Sequence, residues 1–316
     1  MRPNVLSALV TASLALLTGC GGGGSSPPAQ APHFNGNPPL VPANGIYVGA
    51  FVNTGGTTPL GQQLTQFEAQ IGRTLALSGH YYGWNSTFPT QAESADARAG
   101  RIPVISWNCG VSNAQVASGS QDANIVAHAA ALKAYGGPVF VRYLWEMNLG
   151  ATANNRSACY DPATDSPGGV FSPAEFIAAW NHIHSIFVAQ GANNVAFLWN
   201  PGGGGTNATL YYPGGPNVDW VGIDEYDRNS VPFADVYSLY SALVPYNKPI
   251  MIAETGASPT YQPVFFTGAA AVLKTTFPAV KGFMYFDAEG KDDWRLSSTG
   301  VTAFAAFAND PYLSAR

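Results

Sequence analysis

Two glutamates stand where chemistry can be done. Glu146 follows the run Arg142-Tyr143-Leu144-Trp145, and Glu254 follows Ile252-Ala253, so each acid closes an apolar, strand-like stretch. Asp and Glu together number 19 in 316 residues, so two acids at such positions are a signal rather than background. A pair of carboxyl groups on either side of a cleft suits cleavage of a glycosidic bond: one protonates the leaving oxygen, the other attacks the anomeric carbon or positions water there. Aromatic residues gather at the ends of other apolar runs, in His80-Tyr81-Tyr82-Gly83-Trp84, Trp107-Asn108, Trp145, Trp199-Asn200-Pro201, Tyr226 and Trp294. Flat rings stack on the apolar faces of sugars without needing charge. His80, Trp84, Trp107, Trp145, Asn148, Trp199 and Trp294 are therefore the candidate sugar contacts, with core packing as the other reading of Trp107 and Trp199. Asp224, Glu225 and Asp287 are read as supporting or solvated acids.

These residues need a scaffold that brings strand ends together. Eight strands are predicted, at Ile46 to Val52, Arg73 to Leu77, Ile102 to Trp107, Val139 to Leu144, Val195 to Trp199, Val218 to Ile223, Pro249 to Ala253 and Gly282 to Phe286. Between them lie helical patterns. Phe176, Ile177, Trp180, Ile183 and Phe187 share one helical face, and Ser172-Pro173-Ala174-Glu175 reads as a capping box with proline at the first helical position. A second helix covers Asp122 to Tyr135 and stops at Gly136-Gly137-Pro138. Alternating strands and helices imply a parallel sheet, and eight units in about 270 residues fit an α/β chain folded as one (β/α)8 TIM barrel over residues 45–316. In that fold the active site lies at the C-terminal strand ends, and strands four and seven face each other across the mouth. An open doubly wound sheet is the alternative, but Gly202-Gly203-Gly204-Gly205 lacks the Lys-Ser/Thr ending of a phosphate loop.

Composition excludes other classes. The chain is 46% hydrophobic and 10% charged, against about 25% charged in ordinary soluble domains, so disorder and ion-pair-laced helical arrays are out. Net charge is −5 and no Lys/Arg cluster occurs, so no nucleic-acid partner is expected. No group of His, Cys or carboxylates has ligand spacing, and neither a metal nor an organic cofactor is expected. At the N-terminus Arg2 precedes an apolar stretch from Val5 to Leu17, too short to span a bilayer, that ends Leu17-Thr18-Gly19-Cys20. Residues 1–19 read as a signal peptide. The ending resembles a bacterial lipobox, which implies that Cys20 carries lipid and anchors an exported lipoprotein facing the periplasm or cell surface. Residues 20–44 are rich in Gly, Ser, Pro, Ala and Asn and read as a tether. Cys109 and Cys159 remain, in adjacent loops after strands three and four. A disulfide between them is expected, with two separate buried thiols as the alternative.

The runs Arg142-Tyr143-Leu144-Trp145-Glu146-Met147-Asn148, Phe197-Leu198-Trp199-Asn200-Pro201, Val218-Asp219-Trp220-Val221-Gly222-Ile223-Asp224-Glu225-Tyr226 and Ile252-Ala253-Glu254-Thr255-Gly256 resemble glycoside hydrolase family 26 in order and spacing. The resemblance implies that Glu146 is the acid/base, Glu254 the nucleophile, Arg142 a donor to the nucleophile's carboxylate and Tyr226 a second donor to it. It implies a retaining, endo-acting hydrolase, monomeric, cleaving a β-linked polysaccharide: mannan, xylan, mixed-linkage glucan or a bacterial exopolysaccharide. Mannan-cleaving members place His directly before the acid/base; here Trp145 stands there. The alternatives are a non-catalytic cell-surface glycan-binding protein and a transglycosylase that processes the cell's own exopolysaccharide.

Overall fold

The computed structural model describes residues 39–316. The residues read as a signal peptide, Cys20 read as a lipid anchor and most of the stretch read as a tether lie outside the described residues. Eight parallel strands close a barrel in chain order: β1 (Tyr47–Asn53), β2 (Leu77–Tyr82), β3 (Ile102–Trp107), β4 (Val139–Tyr143), β5 (Val195–Trp199), β6 (Trp220–Asp224), β7 (Ile250–Thr255) and β8 (Val280–Ala288), with β8 paired to β1. The helices are α1 (Leu60–Ile71), α2 (Gln91–Ala99), α3 (Asn113–Ala117), α4 (Asp122–Tyr135), α5 (Pro173–Gln190), α6 (Phe233–Val236), α7 (Tyr240–Leu243), α8 (Gln262–Phe266), α9 (Ala269–Thr275) and α10 (Ser298–Ala308). The expected (β/α)8 TIM barrel is the fold, with one irregular unit. The connection from β5 to β6 carries only short 3-10 turns, because its Pro201-Gly-Gly-Gly-Gly and Pro213-Gly-Gly-Pro segments cannot sustain a helix.

One strand is displaced from its expected place. The second was expected at Arg73 to Leu77, but β2 begins at Leu77 and runs through Ser78-Gly79-His80. Leu75 and Ala76 are buried in the approach to the strand, while Ser and Gly inside it weaken the β pattern that sequence reading follows. The α5 reading needs a smaller correction. Ser172 Oγ accepts from Glu175 N–H, but the Ser172 N–H donates to Asp165 Oδ1 at 2.8 Å, so Asp165 takes the place of the Glu175 carboxylate in the capping box.

Two apolar layers hold the barrel. Leu77, Val104, Phe140, Leu198, Trp220, Met251 and Met284 pack inside it, while the outward residues of each strand meet the helices, as Phe176, Trp180, Ile183 and Phe187 of α5 do. Each large apolar side chain so buried contributes roughly 1.5–3 kcal/mol. Leu40 packs against the interior cluster, and the Pro39 carbonyl accepts from Trp220 Nε1 at 2.7 Å. The folded unit therefore takes in the last residues of the stretch read as tether. Strand alternation then sets the upper layer, since Phe140 pointing inward places Arg142, two residues on, inward as well.

Candidate active site

Arg142 is the hub of the barrel mouth. Its Nε donates to Ser106 Oγ of β3 at 2.7 Å, and Nη1 to Asn200 Oδ1 at 3.1 Å and Asp224 Oδ2 at 3.0 Å. Its Nη2 reaches the Tyr81 hydroxyl at 3.1 Å and Glu254 Oε1. Side chains from or just beyond six consecutive strands are thus locked around one buried guanidinium, each donor used. Glu254 also accepts from the Tyr81 hydroxyl at 2.7 Å on Oε1 and from the Tyr226 hydroxyl at 2.6 Å on Oε2. Met251 and Ala253 already face the barrel interior, so strict alternation would send Glu254 outward. The pairing register of β7 shifts there on both sides, between Ile252 and Thr255 toward β8 and between Ile223 and Asp224 toward β6. This irregularity re-aims the carboxylate into the mouth.

Glu146 arrives by a different device. Beyond β4 the backbone turns through two left-handed residues, Leu144 at φ 46° and Glu146 at φ 55°, a conformation that costs non-glycine residues about 1–2 kcal/mol each. The turn is held by its neighbours. Leu144 N–H donates to the Trp107 carbonyl at 2.9 Å and Glu146 N–H to the Asn200 carbonyl at 2.6 Å. The buried Arg156 donates to the carbonyls of Trp145 and Glu146 and lies 4.8 Å over the Trp145 indole. Arg156 sits in the loop that returns toward α5, and a disulfide between Cys109 and Cys159, with Cα atoms 5.9 Å apart, fixes that loop to the end of β3. On the other side the glycine run has a steric purpose. A Cβ on Gly202 would lie 2.9 Å from Glu146 Cγ, and one on Gly203 2.6 Å from Glu225 Cγ.

The carboxylates of Glu146, Asp224 and Glu254 each bring one oxygen within 4.8 Å of the others. Two of the three accept from Arg142, so the cluster carries its own cation and is an acid–arginine network rather than a free ligand set. Burial raises the Glu146 carboxyl, and the Glu254 charge raises it further, to about 6; a hydrogen bond from Asn154 opposes both. Burial and then the Glu254 charge push the Tyr81 and Tyr226 phenols well above their ordinary range, so both remain O–H donors. Burial opposes the Arg142 charge, yet Glu254 and Asp224 outweigh it and hold the guanidinium protonated. An acid that must be protonated to act loses competence as pH rises through its pKa. The alkaline limb of kcat/KM is therefore expected near pH 6; a limb lying above about pH 8 would contradict this environment for Glu146.

A cleft of about 980 Å³ lies over these groups, lined by Phe51, Tyr81, Trp145, Tyr226, Phe286 and Trp294 with both glutamates. Of the expected sugar contacts, Trp145 and Trp294 line it, and Trp294 stacks on Tyr226 at 4.9 Å. Five others lie elsewhere. Trp84 and Trp107 stack on each other at 4.6 Å in the outer layer, Trp107 also against His128 of α4. Trp199 is wholly buried against Tyr212 and Tyr246. Alternation explains both displacements, because Ser106 and Asn200 face Arg142 and their neighbours Trp107 and Trp199 must face out. His80 faces out likewise, 2.6 Å from Asp96 of α2. Asn148 is buried and exchanges hydrogen bonds with both backbone groups of Gly202, so it shapes the glycine loop. Asp224 is a buried partner of Arg142, Glu225 accepts from Ser238 and Leu239, and Asp287 accepts from Leu296 N–H at 2.7 Å, which makes all three supporting acids. Tyr81, Asn154 and Arg156 were not singled out from the sequence.

Residues 169–312 match the model of Glycosyl hydrolase family 26. The match takes in Tyr226 and Glu254 and begins beyond Arg142 and Glu146. Endoglucanase H of Acetivibrio thermocellus is 30% identical over 282 residues, 84% of this chain and 30% of that protein. Mannan endo-1,4-beta-mannosidase A and B of Caldalkalibacillus mannanilyticus is 26% identical over 121 residues, 38% of this chain and 22% of that protein. The chain spans less than a third of the length of either relative. Among solved structures, a Bacillus subtilis mannanase superposes with a TM-score of 0.62 at 20% identity, covering 84% of this chain and 85% of that one. That likeness is one of fold.

Proposed function

We propose that the protein is a retaining, endo-acting glycoside hydrolase of family 26, with Glu254 as nucleophile and Glu146 as acid/base. The observation that carries this reading is the approach of the two carboxylates, with oxygens within 4.8 Å on the floor of an aromatic cleft. Retaining enzymes hold their carboxyl groups about 5–5.5 Å apart, whereas inverting ones leave about 6.5–9.5 Å for a water. In the first step Glu254 attacks the anomeric carbon while Glu146 protonates the leaving oxygen. In the second, Glu146 takes a proton from water as it attacks the glycosyl-enzyme, and Glu254 departs. Arg142, Tyr81 and Tyr226 hold the Glu254 carboxylate in line, and Trp145 and Trp294 offer ring faces to the sugars.

The favoured substrate is a β-linked glucan, ahead of mannan, xylan or an exopolysaccharide. The glucan-named relative matches over 84% of the chain and the mannan-named one over 38%, and Trp145 occupies the place before the acid/base. Purified protein offered mannan, xylan, mixed-linkage glucan and bacterial exopolysaccharides, read by new reducing ends and oligosaccharide mass, tests this. Internal cleavage of the glucan is expected; failure to cleave any of the four overturns it. The proposal includes export and lipid anchoring at Cys20, resting on Leu17-Thr18-Gly19-Cys20 after an apolar segment. Cys20→Ala is expected to shift the protein from the membrane to the soluble fraction; unchanged membrane partitioning would refute the anchor.

A further inference from the structure

We propose that Asn154 is a positioning residue of the acid/base, its side-chain amide holding the Glu146 carboxylate from the loop that the Cys109–Cys159 bond ties down. The proposal rests on Glu146 as acid/base, and it adds a group that neither the sequence pattern nor the family match assigns. Asn154 Nδ2 donates to Glu146 Oε2 at 2.7 Å, and among the described residues no other side chain donates to that carboxylate. The loop backbone is left-handed at Asn154 and Asn155, with φ of 52° and 57°, and asparagine is among the few residues that adopt this conformation readily. Asn108 fixes its height: its Nδ2 donates to the Asn154 carbonyl at 3.1 Å, while its Oδ1 accepts from Arg156 Nε at 3.2 Å and Cys109 N–H at 3.1 Å. Arg156 in turn grips the carbonyls of Trp145 and Glu146, so the amide and the carboxylate it serves hang from one bonded frame.

The charged and titratable groups facing Glu146 are Glu254 of β7, Asp224 and Tyr226 at the end of β6, Arg142 of β4 and Arg156 of the loop. The two arginines spend their short contacts elsewhere, on Glu254, Asp224 and backbone carbonyls. An amide N–H binds a carboxylate more strongly than a carboxylic acid, so Asn154 favours the ionised form against burial and the Glu254 charge. Glu146 must be an acid in one step and a base in the next. A donor that keeps its pKa near the working pH serves both.

Asn154→Asp keeps the shape and replaces the donor with a like charge; Asn154→Gly keeps the left-handed freedom and removes the donor. Asn154 is exposed and asparagine, aspartate and glycine all tolerate its left-handed backbone, so both variants are expected to fold. The Glu146 titration is read without substrate by carboxyl ¹³C NMR, assigned with Glu146→Gln. The pKa is expected to rise by about one unit in Asn154→Gly and further in Asn154→Asp, and the alkaline limb of kcat/KM is expected to move with it. Glu146 titrating as in the wild type in both variants would overturn the proposal. A wild-type protein that cleaves no polysaccharide while the NMR shift is seen would count against the proposed hydrolase and leave the Asn154 contact standing.

Discussion

Replacing Glu254 by alanine should lower kcat on every substrate by at least about 10⁴-fold, because Arg142, Tyr81 and Tyr226 converge on that carboxylate and no other group is held in its place. Replacing Glu146 by alanine should have a different signature. An aryl glycoside with a good leaving group needs little protonation, so its first step should survive, while hydrolysis of the glycosyl-enzyme slows for want of a base. A burst of leaving group followed by slow turnover is expected from Glu146→Ala, and neither burst nor turnover from Glu254→Ala. Stopped-flow release of a chromogenic leaving group reads both. Equal loss in the two variants on such a substrate would contradict the division of roles.

Arg142→Met should be the most destabilising single change at the mouth. Met fills much of the volume but leaves Asp224 and Glu254 buried without their cation, and breaking a buried pair in this way costs about 3–5 kcal/mol. For a barrel of this size that corresponds to a fall in Tm of roughly 10 °C. Asp224→Asn, added to Arg142→Met, should recover part of the loss, since it removes one of the uncompensated acids. Activity should not recover with it, because Glu254 still lacks its main donor. Thermal unfolding of the single and double variants checks the coupling; additive losses would show that Asp224 and Arg142 do not act as a pair.

What the sequence conveyed about this site follows from which signals are local. Glu146 and Glu254 stood out because acids are rare here and both follow apolar runs, and Arg142 and Tyr226 came with the family-like motifs around them. The aromatic residues were harder to place, since an indole in a strand serves a cleft or a core equally well. The side of the strand decides, and that depends on register. Starting the second strand at Arg73, four residues early, and ending it at Leu77 lost the alternation that sends Tyr81 inward to Glu254 and His80 outward to Asp96. In β3 and β5 the inward Ser106 and Asn200 would have marked Trp107 and Trp199 as outer-layer residues, had their link to Arg142 been visible. Asn154 and Arg156 lie in a loop without periodicity, and only folding with the Cys109–Cys159 bond brings them to Glu146. Gly202 and Gly203, unremarkable as a low-complexity run, are glycines because Glu146 and Glu225 pass too close for a Cβ.

Double displacement at Glu254 fixes the anomeric configuration of the first product, which reports the mechanism directly. Wild-type protein acting on a reactive β-linked substrate, followed by ¹H NMR from the first minutes before mutarotation, should release the β-anomer first, with the α-anomer growing in later. Glu146 and Glu254 bring carboxylate oxygens within 4.8 Å of each other, on the side of the short spacing of retaining enzymes rather than the wider one of inverting enzymes, which is why retention is expected. Initial release of the α-anomer would mean a single displacement by water and would contradict the assignment of Glu254 as nucleophile.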